Sequence, residues 1–208
     1  MIQAAASKRF PFAYIMKKTH LVFIAVVVVA AVAYYFWRSR GGADVALDLV
    51  AIAAPEQTGD APGFEFRPGE KKAAMFKVGP ETIGGQTKSA IFSHAASRLI
   101  YSDVTVPDDG RLHAFVAVKE EAWTQDVSDG VLFRFGVDDG RYVELLNQLV
   151  DPRHNANDRG WLPVDIDLTA YAGQKVKLIF NTNTGLPGST NDAFDFAVWG
   201  EPAIITKP

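Results

Sequence analysis

The chain has 208 residues and no cysteine, so it contains no disulfide and no thiolate zinc site. Its net charge of −3 conceals a split. Six of the 21 basic residues (Lys8, Arg9, Lys17, Lys18, Arg38, Arg40) and none of the 24 acids fall in the first 40 positions, leaving 15 basic against 24 acidic residues, a net of −9, for the rest. That balance excludes the basic footprint that nucleic acid requires, and it makes anionic lipid headgroups the natural partner of the N-terminal arm.

The arm is residues 1–19, in which Pro11 stops a helix from running back through it. Leu21 to Trp37 follows without a charge, glycine or proline. As a helix these residues span roughly 26 Å, slightly less than a ~30 Å hydrocarbon core. Lys17, Lys18 and Arg38 close the difference by snorkelling, and Tyr34, Tyr35 and Trp37 form the aromatic end expected at a membrane interface. Residues 20–38 are therefore predicted as a single transmembrane helix. Ala30 and Ala33 share one face of it and suit close packing against another helix. Four Lys/Arg precede the span and two follow it, which puts the N-terminus in the cytoplasm of a bacterial inner membrane and the rest outside. A cleaved signal peptide is the rival reading, since Ala31-Val32-Ala33 fits a cleavage pattern. It would leave Tyr34 to Trp37 as an exposed apolar N-terminus, so a signal anchor is preferred.

Residues 39–44 form a short linker with Gly41-Gly42, and 45–208 a periplasmic or extracellular domain. Strands are predicted at 45–49, 64–67, 74–78, 90–93, 99–106 and 111–118, with Gly79–Ser89 as a loop. Val131, Phe133, Phe135 and Val137 alternate cleanly, and Asp138-Asp139-Gly140 turns the chain into 142–146. Val164, Ile166 and Leu168 alternate with acids; Thr169–Gln174 is a compact connection with one helical turn; Val176, Leu178 and Phe180 alternate with lysines; Phe194, Phe196 and Val198 close the pattern. Short half-buried strands with frequent turns predict a mainly β fold, an antiparallel β-sandwich of jelly-roll type. Phe133, Phe135, Ile166, Leu178 and Phe196 are the expected core.

The run Trp161-Leu-Pro-Val-Asp-Ile-Asp-Leu-Thr-Ala-Tyr-Ala-Gly-Gln-Lys-Val-Lys-Leu-Ile-Phe180 resembles a strand–turn–strand of galactose-binding-like β-sandwich domains, and Phe196 to Ile204 resembles their final strand. The resemblance implies a sandwich of the kind found in carbohydrate-binding modules and in plain interaction modules; a structural calcium is also common there. The fold alone does not fix a function.

Catalytic motifs are lacking. Gly79–Ser89 only approximates a phosphate loop, because Gly85 stands where the lysine belongs. His20, His94, His113 and His154 are scattered, and the acidic pairs 108/109, 120/121 and 138/139 suit turns. Asp138, Asp192 and Asp195 are the candidate oxygen ligands for calcium, without EF-hand spacing. Trp123, Trp161 and Trp199 are candidates for stacking on sugar rings. The polar loops 151–160 and 181–192 are the candidate binding surfaces, with Arg153, His154, Asn155, Asn183 and Asn191 as contact residues. The sequence thus points to a non-catalytic, membrane-anchored accessory subunit that packs on other membrane proteins and lipid. The alternative is a tethered carbohydrate-binding module with a saccharide as partner.

Overall fold

A computed structural model describes residues 43–54, 63–68, 76–186 and 188–206. The predicted span, its anchors Lys17, Lys18, Tyr34, Tyr35, Trp37 and Arg38, and Ala30 and Ala33 lie outside them. Among the described residues no helix is long and apolar enough to cross a membrane.

The described strands are β1 (Asp44–Asp48), β2 (Phe64–Pro68), β3 (Phe76–Ile83), β4 (Gln86–Ser93), β5 (Ser97–Thr105), β6 (Arg111–Val118), β7 (Val131–Asp138), β8 (Tyr142–Val150), β9 (Leu162–Asp167), β10 (Lys175–Thr184) and β11 (Ala197–Thr206). Sheet I has the order β3-β4-β11-β6-β9, with β1 also on β11; sheet II has β2-β5-β10-β7-β8. Every pairing is antiparallel. Within them, β4 to β11 form two four-stranded sheets of order 4-11-6-9 and 5-10-7-8, the double Greek key of a jelly roll. The resemblance at 161–180 is realised as β9 in sheet I, a 3-10 turn at Thr169–Tyr171, and β10 in sheet II.

The core lies between the sheets. Phe133, Phe135, Leu178 and Phe180 project from sheet II, and Trp199 reaches them from sheet I, all with at most 1% exposure. Trp199 meets Phe133 edge-on at 5.1 Å and Phe180 at 4.9 Å, the offset geometry that aromatic quadrupoles favour. The alternation at 131–137 is confirmed. The alternation at 194–198 is not: Phe194 and Phe196 are only half-buried, β11 starts at Ala197, and Ala197 and Trp199 face the core while Val198 faces out. Phe194 sits at φ 61, which breaks the extended pattern just before the strand. Ile166 is likewise half-buried.

Two further segments differ from expectation. Gly79–Ser89 is a hairpin rather than a loop: β3 and β4 pair from Phe76↔Ser93 to Ile83↔Gln86. Gly84 and Gly85, at φ 59 and 74, make the two-residue turn, which needs positive φ at both centres. At 45–49 the strand ends at Asp48, whose Oδ1 accepts from Val50 N at 2.9 Å and Ala51 N at 3.1 Å. This cap starts the single-turn helix α1 (Leu49–Ala53), and Leu49 is buried beneath Tyr101, whose hydroxyl donates to the Leu49 carbonyl at 3.0 Å.

Candidate functional site

The outer face of sheet II is built by strand alternation. With Phe133, Phe135, Leu178 and Phe180 turned inward, the residues between them turn outward. The pairing aligns Arg67, Arg98, Asn181, Arg134 and Asn147 in one row across β2, β5, β10, β7 and β8. The next row is Glu65, Ile100, Ile179, Gly136 and Glu144. A bulge in β8 decides its composition. The register shifts between Phe135 and Gly136, leaving Leu145 without a partner. Without that extra residue, Glu144 and Tyr142 would point inward; with it they join Asn147 on the outer face.

Gly136 lets an aromatic ring lie down on the sheet. A methyl there would sit 2.5 Å from the Tyr142 ring and 2.5 Å from the Val143 carbonyl oxygen. Tyr142 remains 37% exposed, while Ile100 and Ile179 beside it are buried though they face outward. Burial, and then Glu144, push the Tyr142 hydroxyl above its ordinary pKa, with Arg134, Arg98 and a hydrogen bond from Asn181 acting the other way.

The polar groups around the ring hold one another in place. Arg98 Nε donates to Asn181 Oδ1 at 2.6 Å. Arg134 donates to Glu144, and Asn147 Nδ2 donates to Glu144 Oε1 at 2.8 Å. These bonds, that of Asn147 first, hold the Glu144 carboxyl below its usual pKa. Arg67 is clasped by Glu65 at 2.6 and 2.8 Å. Asn183 lies two positions beyond Asn181 on the same face, and its buried Oδ1 receives no hydrogen bond among the described residues. At the hairpin end the face borders a hollow of about 600 Å³ lined by Asp103, Asp138, Asp139, Lys175 and Lys177.

The outer face of sheet I is closed instead. Ile83, Ala90, Ala117 and Val198 are buried under Phe92, Trp123 and Trp161. Trp161 lies on Gly200, where a methyl would meet its ring at 2.6 Å, and its Nε1 donates to the Gln86 carbonyl at 2.9 Å. Lys88 sits 3.6 Å over the Phe115 ring and pairs with Glu201 at 2.9 Å; Lys119 pairs with Glu81 at 3.0 Å.

The sequence-derived candidates distribute as follows. Asn183 is on strand β10 and belongs to the sheet II face. Arg153, His154 and Asn155 brace their own loop instead: Arg153 donates to Asp126, His154 Nδ1 bonds Asp151 at 2.8 Å, and Asn155 bonds Asn157 N at 3.1 Å and Asp158 at 2.9 Å. Asn191 ties its loop to Val127 O at 2.6 Å and caps Ala193 N at 3.1 Å. The candidate calcium ligands are not brought together. Asp138 turns back on Gly140 N in the β7–β8 hairpin, whereas Asp195, wholly buried, precedes β11 in sheet I. Among the described residues no three acidic or histidine side chains converge on a metal position. The tryptophans do not make a platform either: Trp199 is core, and Trp123 and Trp161 seal sheet I. Tyr142, Arg98, Arg134 and Glu144 were missed; Asn181 opens the expected 181–192 loop but lies on β10. The Asp-Gly turn and Tyr142 were visible signals, but the bulge that faces them outward carries no sequence mark.

No protein-family model matches the chain. The chain is similar to an uncharacterized protein of Archaeoglobus fulgidus, 33% identical over 129 residues, which cover 59% of this chain and 32% of that protein. The chain thus spans about a third of that relative's length. Among solved structures it is similar to CBM51 from Clostridium perfringens GH95 in complex with methyl-galactose (19% identity, 68% of this chain, 88% of that one, TM-score 0.43). It is also similar to the K1 cleaved adhesin domain of Lys-gingipain from Porphyromonas gingivalis W83 (14%, 71%, 92%, 0.48). A third is the CBM22-1 xylan-binding domain of Paenibacillus barcinonensis Xyn10C (16%, 70%, 87%, 0.41).

Proposed function

We propose that this protein is a non-catalytic saccharide-binding jelly roll, tethered to a membrane by residues 21–37 with the sandwich on the outer side. The observation that carries the reading is the Tyr142 ring lying on Gly136 amid pre-bonded Arg98, Asn181, Arg134, Glu144 and Asn147. A pyranose presents an apolar C–H face and a rim of hydroxyls, each both donor and acceptor. An aromatic ring receives the first. Planar amide, guanidinium and carboxylate groups, already held in position, receive the second. The resemblance of 161–180 and 196–204 to galactose-binding-like sandwiches points the same way.

Glycoside cleavage takes two carboxyl groups roughly 5–9.5 Å apart. Glu65 and Glu144, the two carboxylates of the Gly136 row, stand on the two edge strands, four strand spacings or about 19 Å apart, and each is bonded to an arginine, so that pair does not flank one bond. The rival role, a structural subunit of a membrane assembly, rests on the apolar stretch, the single outer domain and the lack of a catalytic motif, and no feature of the described face favours it.

The test is affinity electrophoresis and a glycan array with the full chain in detergent. Wild type is expected to bind at least one glycan, and Tyr142→Ala to lose that binding with an unchanged circular dichroism spectrum. No retention on any glycan, or a Tyr142→Ala variant that binds as wild type does, overturns the reading.

A further inference from the structure

We propose that the sheet II face selects an acidic saccharide, with the Arg98 guanidinium gripping a sugar carboxylate beside the Tyr142 ring. This inference deepens the saccharide reading and rests on it. Three arginines share one row of the face, but they are not equivalent. Arg67 is neutralised by Glu65 and Arg134 by Glu144. Arg98, between them in strand order, is exposed and donates through Nε to the neutral Asn181 amide. Among the described residues no carboxylate pairs with it. A guanidinium tied down at Nε keeps its two terminal nitrogens as a fork, the geometry that matches a carboxylate with two parallel hydrogen bonds. Holding Arg98 by an amide rather than an acid aims the side chain without cancelling its charge.

The neighbourhood is arranged for one anion. Arg98 flanks Asn181 and donates to it, and the Tyr142 ring lies over Gly136 in the adjacent row, so a ring stacked on Tyr142 would carry its substituents toward the Arg98 fork. In these rows Arg67 is met by Glu65, Arg134 by Glu144, and Lys177 lies opposite Asp138, which leaves Arg98 as the excess cation. This local excess stands out in a region whose net charge from residue 41 onward is −9. At physiological salt the repulsion from distant acids is screened beyond about 8 Å, which leaves the local cations to act on a bound carboxylate.

The experiment uses the full chain in detergent against polygalacturonate, polymannuronate and hyaluronan, each compared with its carboxyl-reduced form, which keeps the linkages and removes the charge. Poly-glutamate serves as the non-sugar polyanion. At least one native polyuronate is expected to bind ten-fold or more tightly than its reduced form, with no competition from poly-glutamate. Arg98→Gln and Arg98→Lys should each lose ten-fold or more on that polymer, since lysine keeps the charge but not the fork. Both should keep the wild-type melting temperature, and both should lose several-fold less affinity for the reduced form than for the native polymer. If native and reduced polymers bind alike, or Arg98→Gln binds as wild type does, the acidic preference is wrong while saccharide binding stands. Equal competition by poly-glutamate shows a general anion site and overturns it too. If no polymer binds and the array is also empty, the parent reading falls with it.

Discussion

Both outer faces of the sandwich carry an aromatic ring lying on a glycine, and the surroundings of the two rings give them opposite tasks. On sheet I, Trp161 over Gly200 closes a small apolar cluster, and Lys88 and Lys119 are each matched by a glutamate. On sheet II, Tyr142 over Gly136 lies among side chains that bond each other while leaving Arg98 and the Asn183 Oδ1 unmatched. A face whose groups are all satisfied contributes stability. A face whose groups are positioned but not all satisfied is where binding energy is available.

The largest expected effect lies behind both faces. Phe135→Ala empties a site between the sheets and should cost about 3–5 kcal/mol, destabilising both faces alike; an unchanged melting temperature would show that the inward faces are wrongly assigned. Trp161→Ala should cost about 3 kcal/mol by opening the sheet I cluster, yet leave glycan affinity unchanged. Loss of affinity there at a temperature where the variant is folded would collapse the distinction between the faces. Gly136→Ala meets the backbone oxygen of Val143 as well as the Tyr142 ring, so β8 must shift. A cost of about 1–3 kcal/mol together with lost binding is expected, and intact binding would detach the seat from the function.

Tyr142→Ala should shift stability by only about 1 kcal/mol, with binding the readout that moves. The smallest effect is that of Glu144→Gln, at most about 1 kcal/mol near neutrality, and it depends on pH. The Glu144 carboxyl is held below the ordinary 4.5 by Asn147 and Arg134. Its contribution is therefore complete above the unfolded-state value and is lost as pH falls through the lower folded value. The stability difference between wild type and variant should shrink in denaturant titrations carried below pH 4.5; a difference that grows with acid would reverse the assigned direction.

The fold was legible where period two ran unbroken. Val131–Val137, Val164–Leu168 and Val176–Phe180 reported their inward faces directly, and the run 161–180 pointed to the jelly roll. Legibility failed where one residue changed the phase. The Leu145 bulge moves Tyr142 and Glu144 to the outer face, and the φ of 61 at Phe194 reverses the expected faces of β11, burying Trp199 instead of Phe196. Gly84-Gly85 read as a loop because glycine marks both loops and tight hairpins. The site was hidden for a related reason. Polar loops drew attention to Arg153, His154, Asn155 and Asn191, whose side chains bond Asp126, Asp151 and nearby backbone N–H groups, whereas the candidate face is drawn from four strands that only the sheet order brings together.

Amide hydrogen exchange of the full chain, with and without a saturating glycan taken from the array, tests the central claim most directly. Protection confined to 134–147 and to the segment around Asn181 is the predicted result. Protection confined to the loops 151–160 and 185–192, with β7 and β8 unchanged, would contradict it.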